Sequence, residues 1–141
     1  MITYIKRGSE TKYMEVKKNI KTFDIWWVDL GKTPRGIQGG IRPCVIVSNN
    51  IGNRFASIYM VMPLTTVIKK EDQPTHAVIY KNGANCLSSD SMLLAEQMRV
   101  VSEDVIMNRI GVLDGEDIYN VADVYDAQLT GLRKNKEVEI A

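Results

Sequence analysis

Five short runs of apolar, aromatic and β-branched residues come before the helical patterns of this chain, and this order limits the folds open to it. The runs cover residues 23–30, 43–48, 57–64, 75–80 and 91–101. Their length is typical of strands, and polar or glycine-containing turns separate them. Because the strands do not alternate with helices, the order argues against a doubly wound sheet. It predicts a small, strongly bent sheet or partly open barrel with helices packed on it.

The last third of the chain changes to a helical period. Ser102 is placed to cap a short helix that begins with Glu103 and Asp104, and Asp114 is placed to cap a second helix. In that second segment apolar residues recur at steps of three and four: Ile118, Val121, Ala122, Tyr125, Leu129 and Leu132. This spacing predicts an amphipathic helix with one face on the sheet. Residues 49–55 have the composition of a turn.

Length and charge indicate one ordinary globular domain. The chain has 141 residues and a formal net charge of +1, so no strong overall field marks a nucleic-acid or membrane partner. We divide it into a basic N-terminal arm (1–22), a domain (23–133) and a charged C-terminal tail (134–141). The arm carries a cluster of basic residues: Lys6, Arg7, Lys12, Lys17, Lys18 and Lys21. It is either a solvated segment or an added helix or strand that contributes phosphate contacts.

The residues that commonly carry catalysis are sparse. The two cysteines, Cys44 and Cys86, form no Cys-x-x-Cys pair, and His76 is the only histidine. No group of His, Asp and Glu has the spacing of metal ligands, so we expect neither a metal nor a cofactor. His76 is expected to be structural. The N-terminus lacks an apolar signal core, and no apolar run approaches the length of a membrane span, which predicts a cytoplasmic protein without a membrane partner.

A glycine-rich loop runs directly into the second strand. Residues 36–40 read Gly-Ile-Gln-Gly-Gly, and Arg42 and Pro43 open the strand. Glycine lets the backbone approach a ligand closely, and arginine can fork onto a phosphate. The alternative is a mobile hairpin loop with a solvated arginine.

Arg42 gains a possible partner in Thr65, which follows the third strand. If the strands that begin at residue 43 and end at residue 64 are antiparallel neighbours, Arg42 and Thr65 lie at the same edge of the sheet, beneath the loop. Such a pair can hold a phosphodiester, because arginine neutralises developing charge and a hydroxyl fixes a phosphate oxygen. The alternative is that the Thr65 hydroxyl only satisfies a turn.

Taken together, the motifs resemble the MazF/PemK-type toxins of bacterial toxin–antitoxin pairs, in particular their Gram-positive branch. That family opens with Gly-Asp-Val/Ile-Trp/Tyr and continues with Glu-Gln-x-Gly-x-Arg-Pro and a strand that ends in Pro-x-Thr. The matching segments here are Asp24-Ile25-Trp26, residues 38–43, Ser48-Asn49, residues 51–55, residues 63–66 and residues 91–99, the last containing Glu96-Gln97-Met98-Arg99. The match extends from about Phe23 to Leu132.

The resemblance implies a mainly β fold with C-terminal helices, an SH3-like barrel of the MazF/CcdB type with about five to seven strands, and a homodimer. It implies a sequence-specific, metal-independent endoribonuclease (an mRNA interferase) that cleaves single-stranded RNA through the RNA's own 2′-OH. The family's catalytic arginine and threonine match Arg42 and Thr65. We add residues of the matched motifs as candidate RNA contacts: Gln38, Gly39, Gly40, Asn53, Arg54, Thr66, Ser91 and Gln97.

The implied partners are single-stranded RNA and a MazE-like antitoxin, with DNA reached only through the antitoxin. One departure is Ile37, which stands where the family has glutamate. Two alternatives stay open at this point. The first is a CcdB-like toxin that binds DNA gyrase, although this chain lacks that branch's C-terminal Trp-Gly-Ile tail. The second is an inactive relative that binds RNA or antitoxin as a regulator.

Overall fold

The computed structural model describes residues 2–7, 10–15 and 17–129. Within that part of the chain it contains nine strands, two α-helices and two short 3₁₀-helices. The strands are β1 (Ile2–Arg7), β2 (Glu10–Glu15), β3 (Asp24–Asp29), β4 (Ile41–Ile46), β5 (Ile58–Thr65), β6 (His76–Ile79), β7 (Ser91–Leu94), β8 (Arg99–Ser102) and β9 (Ile106–Val112). The α-helices are α1 (Asn50–Phe55) and α2 (Glu116–Leu129), and the 3₁₀-helices span Ala95–Gln97 and Glu103–Val105.

Seven of the strands form one antiparallel sheet, in the order β6-β7-β5-β4-β3-β9, with β8 also paired to β5. Strands β1 and β2 form a separate antiparallel hairpin within the arm. Helix α2 packs against β6 and against the 3₁₀-helix Ala95–Gln97. The mainly β fold with a C-terminal helix on a bent sheet, expected from the order of the sequence patterns, is confirmed. The tail at residues 134–141 lies outside the described residues.

The central parts of β4 and β5 are apolar because their alternating side chains enter two different cores. In β4, Val45 packs into one core, while Cys44 and Ile46 pack into the other. In β5, Met62 and Leu64 enter the first core, whereas Tyr59 and Val61 enter the second. Successive side chains of a strand point to opposite faces, so a strand with both faces covered needs no polar residues.

One predicted strand is interrupted. The run 91–101 was expected to be continuous, but the 3₁₀-helix Ala95–Gln97 separates β7 from β8. Leu93 pairs with Leu64 and Arg99 pairs with Val61. From Leu64 to Val61 the chain advances three residues along β5, but from Leu93 to Arg99 the paired segment advances six. The three extra residues form the 3₁₀-helix. It brings Glu96 and Gln97 out of the sheet toward the glycine loop.

Two further elements differ from expectation. Residues 49–55 are not a turn: Asn49 caps helix α1, its Oδ1 accepting a hydrogen bond from the Gly52 amide at 2.8 Å. Strand β9 was not predicted, because Ile106–Val112 has neither regular alternation nor a run of β-branched residues. It is held by pairing with β3 rather than by its own propensity. The Ser102 cap is confirmed, since its Oγ accepts from the Asp104 amide at 3.3 Å.

The apolar stripe of helix α2 only partly faces the sheet. Val121 and Val124 are buried, and Ile118 packs against the same core. Ala122, Tyr125 and Leu129 are exposed, while Leu132 lies outside the described residues. The apolar spacing predicted the helix correctly, but the buried face was predicted with the wrong orientation. Val124 belongs to the buried face and Ala122 does not.

Gly111 offers a direct test of the packing of β9. A Cβ at this position would lie 2.4 Å from the Asn85 carbonyl oxygen and 2.5 Å from that of Ala84. Because both neighbours are backbone atoms, Gly111→Ala should lower the free energy of unfolding by about 1–3 kcal/mol in chemical denaturation. Gly83→Ala is the matched control, since nothing lies within 4 Å of its Cβ. Equal stability of the two variants would contradict this packing.

Cys44 gives a pH-dependent prediction. Burial raises the pKa of its thiol from 9.0 to about 12, against the opposing effect of the Arg99 and Arg42 guanidinium groups. The folded state holds the thiol proton more tightly than the unfolded chain does. The resulting stabilisation is therefore complete below about pH 9 and is lost as the pH rises toward about 12.

The measurement compares the unfolding free energies of wild type and Cys44→Ala as the pH is raised. Their difference should be constant below pH 9 and should then shrink by up to about 1.4 kcal/mol per pH unit, the limit for one proton. A difference that stays constant to about pH 12 would show that the thiol ionises in the folded protein as easily as in the unfolded chain.

Candidate active site

Strand pairing brings Arg42 and Thr65 to the same edge of the sheet. Strands β4 and β5 are antiparallel, with Cys44 opposite Pro63 and Ile46 opposite Val61. Continuing that register by two residues sets Arg42 opposite Thr65. Side chains at facing positions point to the same face of a sheet. By this continuation of the register, the two residues expected to carry catalysis are inferred to face one another.

The Arg42 guanidinium is partly committed to the glycine loop. Its Nε donates a hydrogen bond to the Gly39 carbonyl oxygen at 2.7 Å. Arginine has five N–H donors in a fixed fork, so the terminal nitrogens remain for a ligand. The bond fixes the guanidinium beneath the loop and leaves its outer edge as the donor surface.

The loop backbone is folded tightly on itself. The Gly40 amide donates to the Gly31 carbonyl oxygen, and the Leu30 amide donates to that of Gly40, each at 2.8 Å. Gly40 has φ +73°, which favours glycine. A Cβ on Gly39 would meet Thr33 Oγ1 at 2.5 Å and the Gly31 carbonyl oxygen at 2.8 Å. The glycines therefore permit a compact turn and not only a close approach to a ligand.

Gln97 clamps this loop from across the sheet. Its Oε1 accepts a hydrogen bond from the Gln38 amide at 3.0 Å, and its Nε2 donates to the Gly36 carbonyl oxygen at 2.9 Å. Both ends of the side-chain amide are thus used to hold the loop. Gln97 was expected to contact RNA, but both ends of its side-chain amide bond to the loop at Gln38 and Gly36, which is the geometry of a positioning residue.

A cavity of about 500 Å³ lies between the loop and the 3₁₀-helix that carries Gln97. Lys32 and Ile37 line the loop side, and Glu96 and Arg99 line the opposite side. The side-chain Oε1 of Gln38 is buried and has no hydrogen-bond partner among the described residues. A buried acceptor without a partner is costly, so this oxygen suits a donor supplied by a ligand.

Arg99 is a second cation near Arg42, and the sequence analysis did not select it. Both guanidinium groups lower the pKa of the Cys44 thiol against the larger effect of burial, so both lie close enough to act on the same sulfur. The signal was present in the sequence, because Arg99 ends the Glu96-Gln97-Met98-Arg99 motif. Two cations that act on the same buried thiol favour an anionic ligand nearby.

His76 has a structural position, as expected. Its Nε2 lies 2.7 Å from Glu96 Oε1 and its Nδ1 lies 3.1 Å from the Lys70 carbonyl oxygen. The side chain is largely buried. The pair ties the segment before β6 to the 3₁₀-helix, next to the Gln97 clamp.

Thr65, Thr66 and Ser91 lie near one another at the strand ends. Thr65 pairs with Met92, which brings Ser91 opposite Thr66 when the register is continued by one residue. Thr65 is buried, and its Oγ1 accepts a hydrogen bond from the Val67 amide at 3.2 Å. Ser91 is also buried, and its Oγ donates to the Ser89 carbonyl oxygen at 3.0 Å. Thr66 is exposed.

Asn53 and Arg54, by contrast, lie away from this edge. They belong to helix α1, which follows the Ile46 end of β4 and not the Arg42 end. Asn53 is buried, and its side chain bonds to the Ser48 hydroxyl and to the Ser48 carbonyl oxygen. The structure does not bring these two residues together with Arg42 and Thr65.

The part of the chain that the structure describes has neither a metal-binding group of side chains nor a membrane-spanning helix. Within residues 2–7, 10–15 and 17–129, no three His, Cys, Asp or Glu side chains are grouped so that they could hold a metal ion. In the same part of the chain, no helix has the length and apolar character needed to cross a membrane.

An arginine held beneath a compact glycine loop, with a second guanidinium acting on the same buried thiol, is suited to an anionic ligand. Residues 21–128 match the family described as PemK-like, MazF-like toxin of type II toxin-antitoxin system. The chain is 34% identical to endoribonuclease EndoA of Bacillus subtilis, over 69% of this chain and 83% of that protein. It is 32% identical to endoribonuclease MazF of Staphylococcus saprophyticus, over 75% and 88%. The chain belongs to the PemK/MazF family of type II toxins.

Solved structures agree on the fold. An endoribonuclease from Mycobacterial species, in complex with its cognate antitoxin, matches with TM-score 0.65 and 20% identity, covering 78% of this chain and 94% of that one. MazF from Deinococcus radiodurans matches with TM-score 0.63 and 17% identity, covering 82% and 97%. At these identities the likeness concerns the fold, and it confirms the MazF-type architecture.

The Gln97 clamp can be tested by hydrogen exchange. Gln97→Ala removes the acceptor of the Gln38 amide, and a hydrogen bond of this kind contributes about 1 kcal/mol. We expect exchange at the Gln38 amide to accelerate about fivefold, measured by NMR or mass spectrometry. Gln97→Glu keeps an acceptor and loses the donor to Gly36, so it should have a smaller effect on Gln38. The control is the Val47 amide, which bonds to the Met60 carbonyl oxygen within the sheet. Unchanged Gln38 exchange in Gln97→Ala would refute the clamp.

Proposed function

We propose that this chain is the toxin of a toxin–antitoxin pair and a sequence-specific, metal-independent endoribonuclease acting on single-stranded RNA, including mRNA. The family membership and the named relatives support endoribonuclease activity, and they do not favour a gyrase-binding or inactive protein. The observation that supports the mechanism is the β4–β5 register, because continuing it by two residues from Cys44 and Pro63 would set Arg42 opposite Thr65.

In the proposed reaction the RNA supplies its own nucleophile. The 2′-oxygen attacks the adjacent phosphorus and gives up its proton, the bond to the 5′-oxygen breaks, and that oxygen is protonated. The products are a 2′,3′-cyclic phosphate and a 5′-OH. DNA lacks the attacking group and is not cleaved.

Arg42 stabilises the charge that develops on the phosphoryl oxygens. Its Nε bond to Gly39 pre-orients the fork, so little reorganisation is needed when charge appears.

Thr65 orients a phosphate oxygen. Its Oγ1 accepts from the Val67 amide, and no described residue accepts its hydroxyl proton, which is therefore available to the substrate. Burial of Thr65 restricts the direction of that donation.

The loop and the adjoining cavity are proposed to read the RNA. Gln38 presents the unpartnered Oε1 as an acceptor for a base or sugar donor. The residues proposed to contact the RNA on either side of the scissile phosphodiester are Gly39, Gly40, Thr66 and Ser91. Ile37, in place of the family's glutamate, puts an exposed apolar side chain on the cavity wall. This substitution is expected to alter which nucleotides are preferred.

The remaining partners follow from the same proposal. A solved relative forms a complex with its cognate antitoxin, and we propose a MazE-like antitoxin that covers the active site of a homodimer. Contact with DNA would occur only through the antitoxin. We propose a cytoplasmic location and a toxin domain at 23–133, between the arm at 1–22 and the tail at 134–141.

The test is cleavage of a long single-stranded RNA by the purified protein in EDTA. Wild type should give discrete cuts with cyclic-phosphate ends. Arg42→Ala and Thr65→Val should each reduce the rate by about a hundredfold to a thousandfold, since each removes a donor that stabilises the transition state.

Conservative variants serve as controls. Thr65→Ser keeps the hydroxyl and should retain much of the activity, whereas Arg42→Lys keeps the charge without the fork and should not. Wild-type unfolding midpoints would exclude misfolding. Cleavage that persists in Arg42→Ala would refute the mechanism, and a folded wild type that leaves RNA intact would refute the function.

A further inference from the structure

A second concentration of positive charge lies at the opposite end of strand β4 from Arg42. Residues 17–21 connect the N-terminal hairpin to the sheet, and a cavity flanks them on each side. One, of about 460 Å³, faces helix α1, and the other, of about 600 Å³, faces β3 and β9. We call the two together the linker cleft. Five cations line it: Lys17, Lys18, Lys21, Arg54 and Arg109.

The negative charge in the cleft is already satisfied. Asp24, the acidic residue on its wall, accepts hydrogen bonds from the Lys21 amide at 3.0 Å and the Trp26 indole at 3.3 Å, and its other oxygen lies 3.5 Å from Arg109. The side chains of Lys21 and Arg54 have no acidic partner among the described residues. An excess of uncompensated cations in a concave site attracts a polyanion.

The chemistry of the walls favours a phosphodiester chain over an acidic peptide. The apolar residues that line the cleft, Ile20 and Trp26, are only 4% and 7% exposed, so they offer no anchor to an amphipathic peptide. The exposed ring of Phe55 lies beside the cleft with the Arg54 guanidinium 5.5 Å from its centre. Single-stranded nucleic acids use such neighbouring rings and cations for stacking and charge.

The cleft is separate from the active site. The Phe23 amide bonds to the Ile46 carbonyl oxygen, which fixes the end of the linker beside the far end of β4. From Arg42 to Ile46 the strand spans about 13 Å, at about 3.3 Å per residue. A ligand in the cleft thus lies beyond the far end of β4, about 13 Å or more from a phosphate at Arg42.

We propose that the linker cleft is an exosite for the sugar–phosphate backbone of single-stranded RNA, outside the nucleotides that are cleaved. This inference rests on the proposed function for the identity of its ligand. The site binds phosphates and not bases, so it is independent of RNA sequence. It increases the affinity for long substrates and does not determine where they are cleaved. It also gives Arg54 a place in RNA binding away from Arg42.

The test uses a labelled 2′-O-methyl RNA of mixed sequence, which the proposed mechanism cannot cleave, and measures its dissociation constant at several salt concentrations. Lys21→Gln/Arg54→Gln should weaken binding several-fold and reduce the slope of log K against log salt by about 1.4, the value for two lost phosphate contacts on a single strand. Lys70→Gln/Lys81→Gln, which removes two exposed cations elsewhere, is the matched control and should leave the slope near wild type.

Each outcome decides the proposal. An unchanged slope in Lys21→Gln/Arg54→Gln, with a wild-type unfolding midpoint, would overturn it, and so would equal losses in the two double variants. If Lys21→Gln/Arg54→Gln lost binding to a polyglutamate peptide but bound RNA like wild type, the RNA exosite would be refuted and the cleft would be a surface for an acidic protein. Wild-type cleavage of RNA is measured in parallel. If the slope does not change in Lys21→Gln/Arg54→Gln but wild type cleaves RNA, the exosite is refuted and the proposed function stands. If the slope falls but wild type does not cleave RNA, the exosite is supported and the nuclease activity is refuted.

Discussion

The pairing of β4 with β5 is the constraint on which the rest of the structure depends. The facing residues Cys44–Ile46 and Val61–Pro63 are apolar, and their side chains enter two cores on opposite faces. A slip of one residue would exchange these faces for every side chain on the strand. It would also separate Arg42 from Thr65. The same hydrophobic burial that stabilises the sheet therefore fixes the geometry of the proposed site.

Weaker polar contacts then set the position of the loop above that edge. A glycine-rich segment loses much conformational freedom on ordering, and few of its own side chains can hold it. Gln97 supplies the missing contacts from a residue 59 positions away from Gln38. The Arg42 bond to Gly39 joins the loop to the guanidinium beneath it. Arg42, the loop and Gln97 thus form one hydrogen-bonded unit whose parts come from two segments that are far apart in the chain.

Charge in this protein is local. The net charge is only +1, but cations are concentrated in two places: Arg42 and Arg99 act on the Cys44 thiol, and five cations line the linker cleft. Cys44 stays neutral, because burial outweighs the field of the two arginines on its thiol. For a nuclease, such a distribution permits tight contact with a phosphodiester at chosen places and limits nonspecific attraction elsewhere.

Sequence alone determined that strands precede a C-terminal amphipathic helix and that Ser102 caps the short helix after it, because hydrophobic period and caps are local properties. Tertiary structure decided the rest. The 3₁₀-helix contains the extra residues of the segment that pairs with β5. Residues Ile106–Val112 form strand β9 because they pair with β3. Burial turned Asn53 inward, and the fold brought Gln97 and Arg99 to a loop that precedes them by about sixty residues. Such contacts depend on distances between segments, which no local pattern encodes.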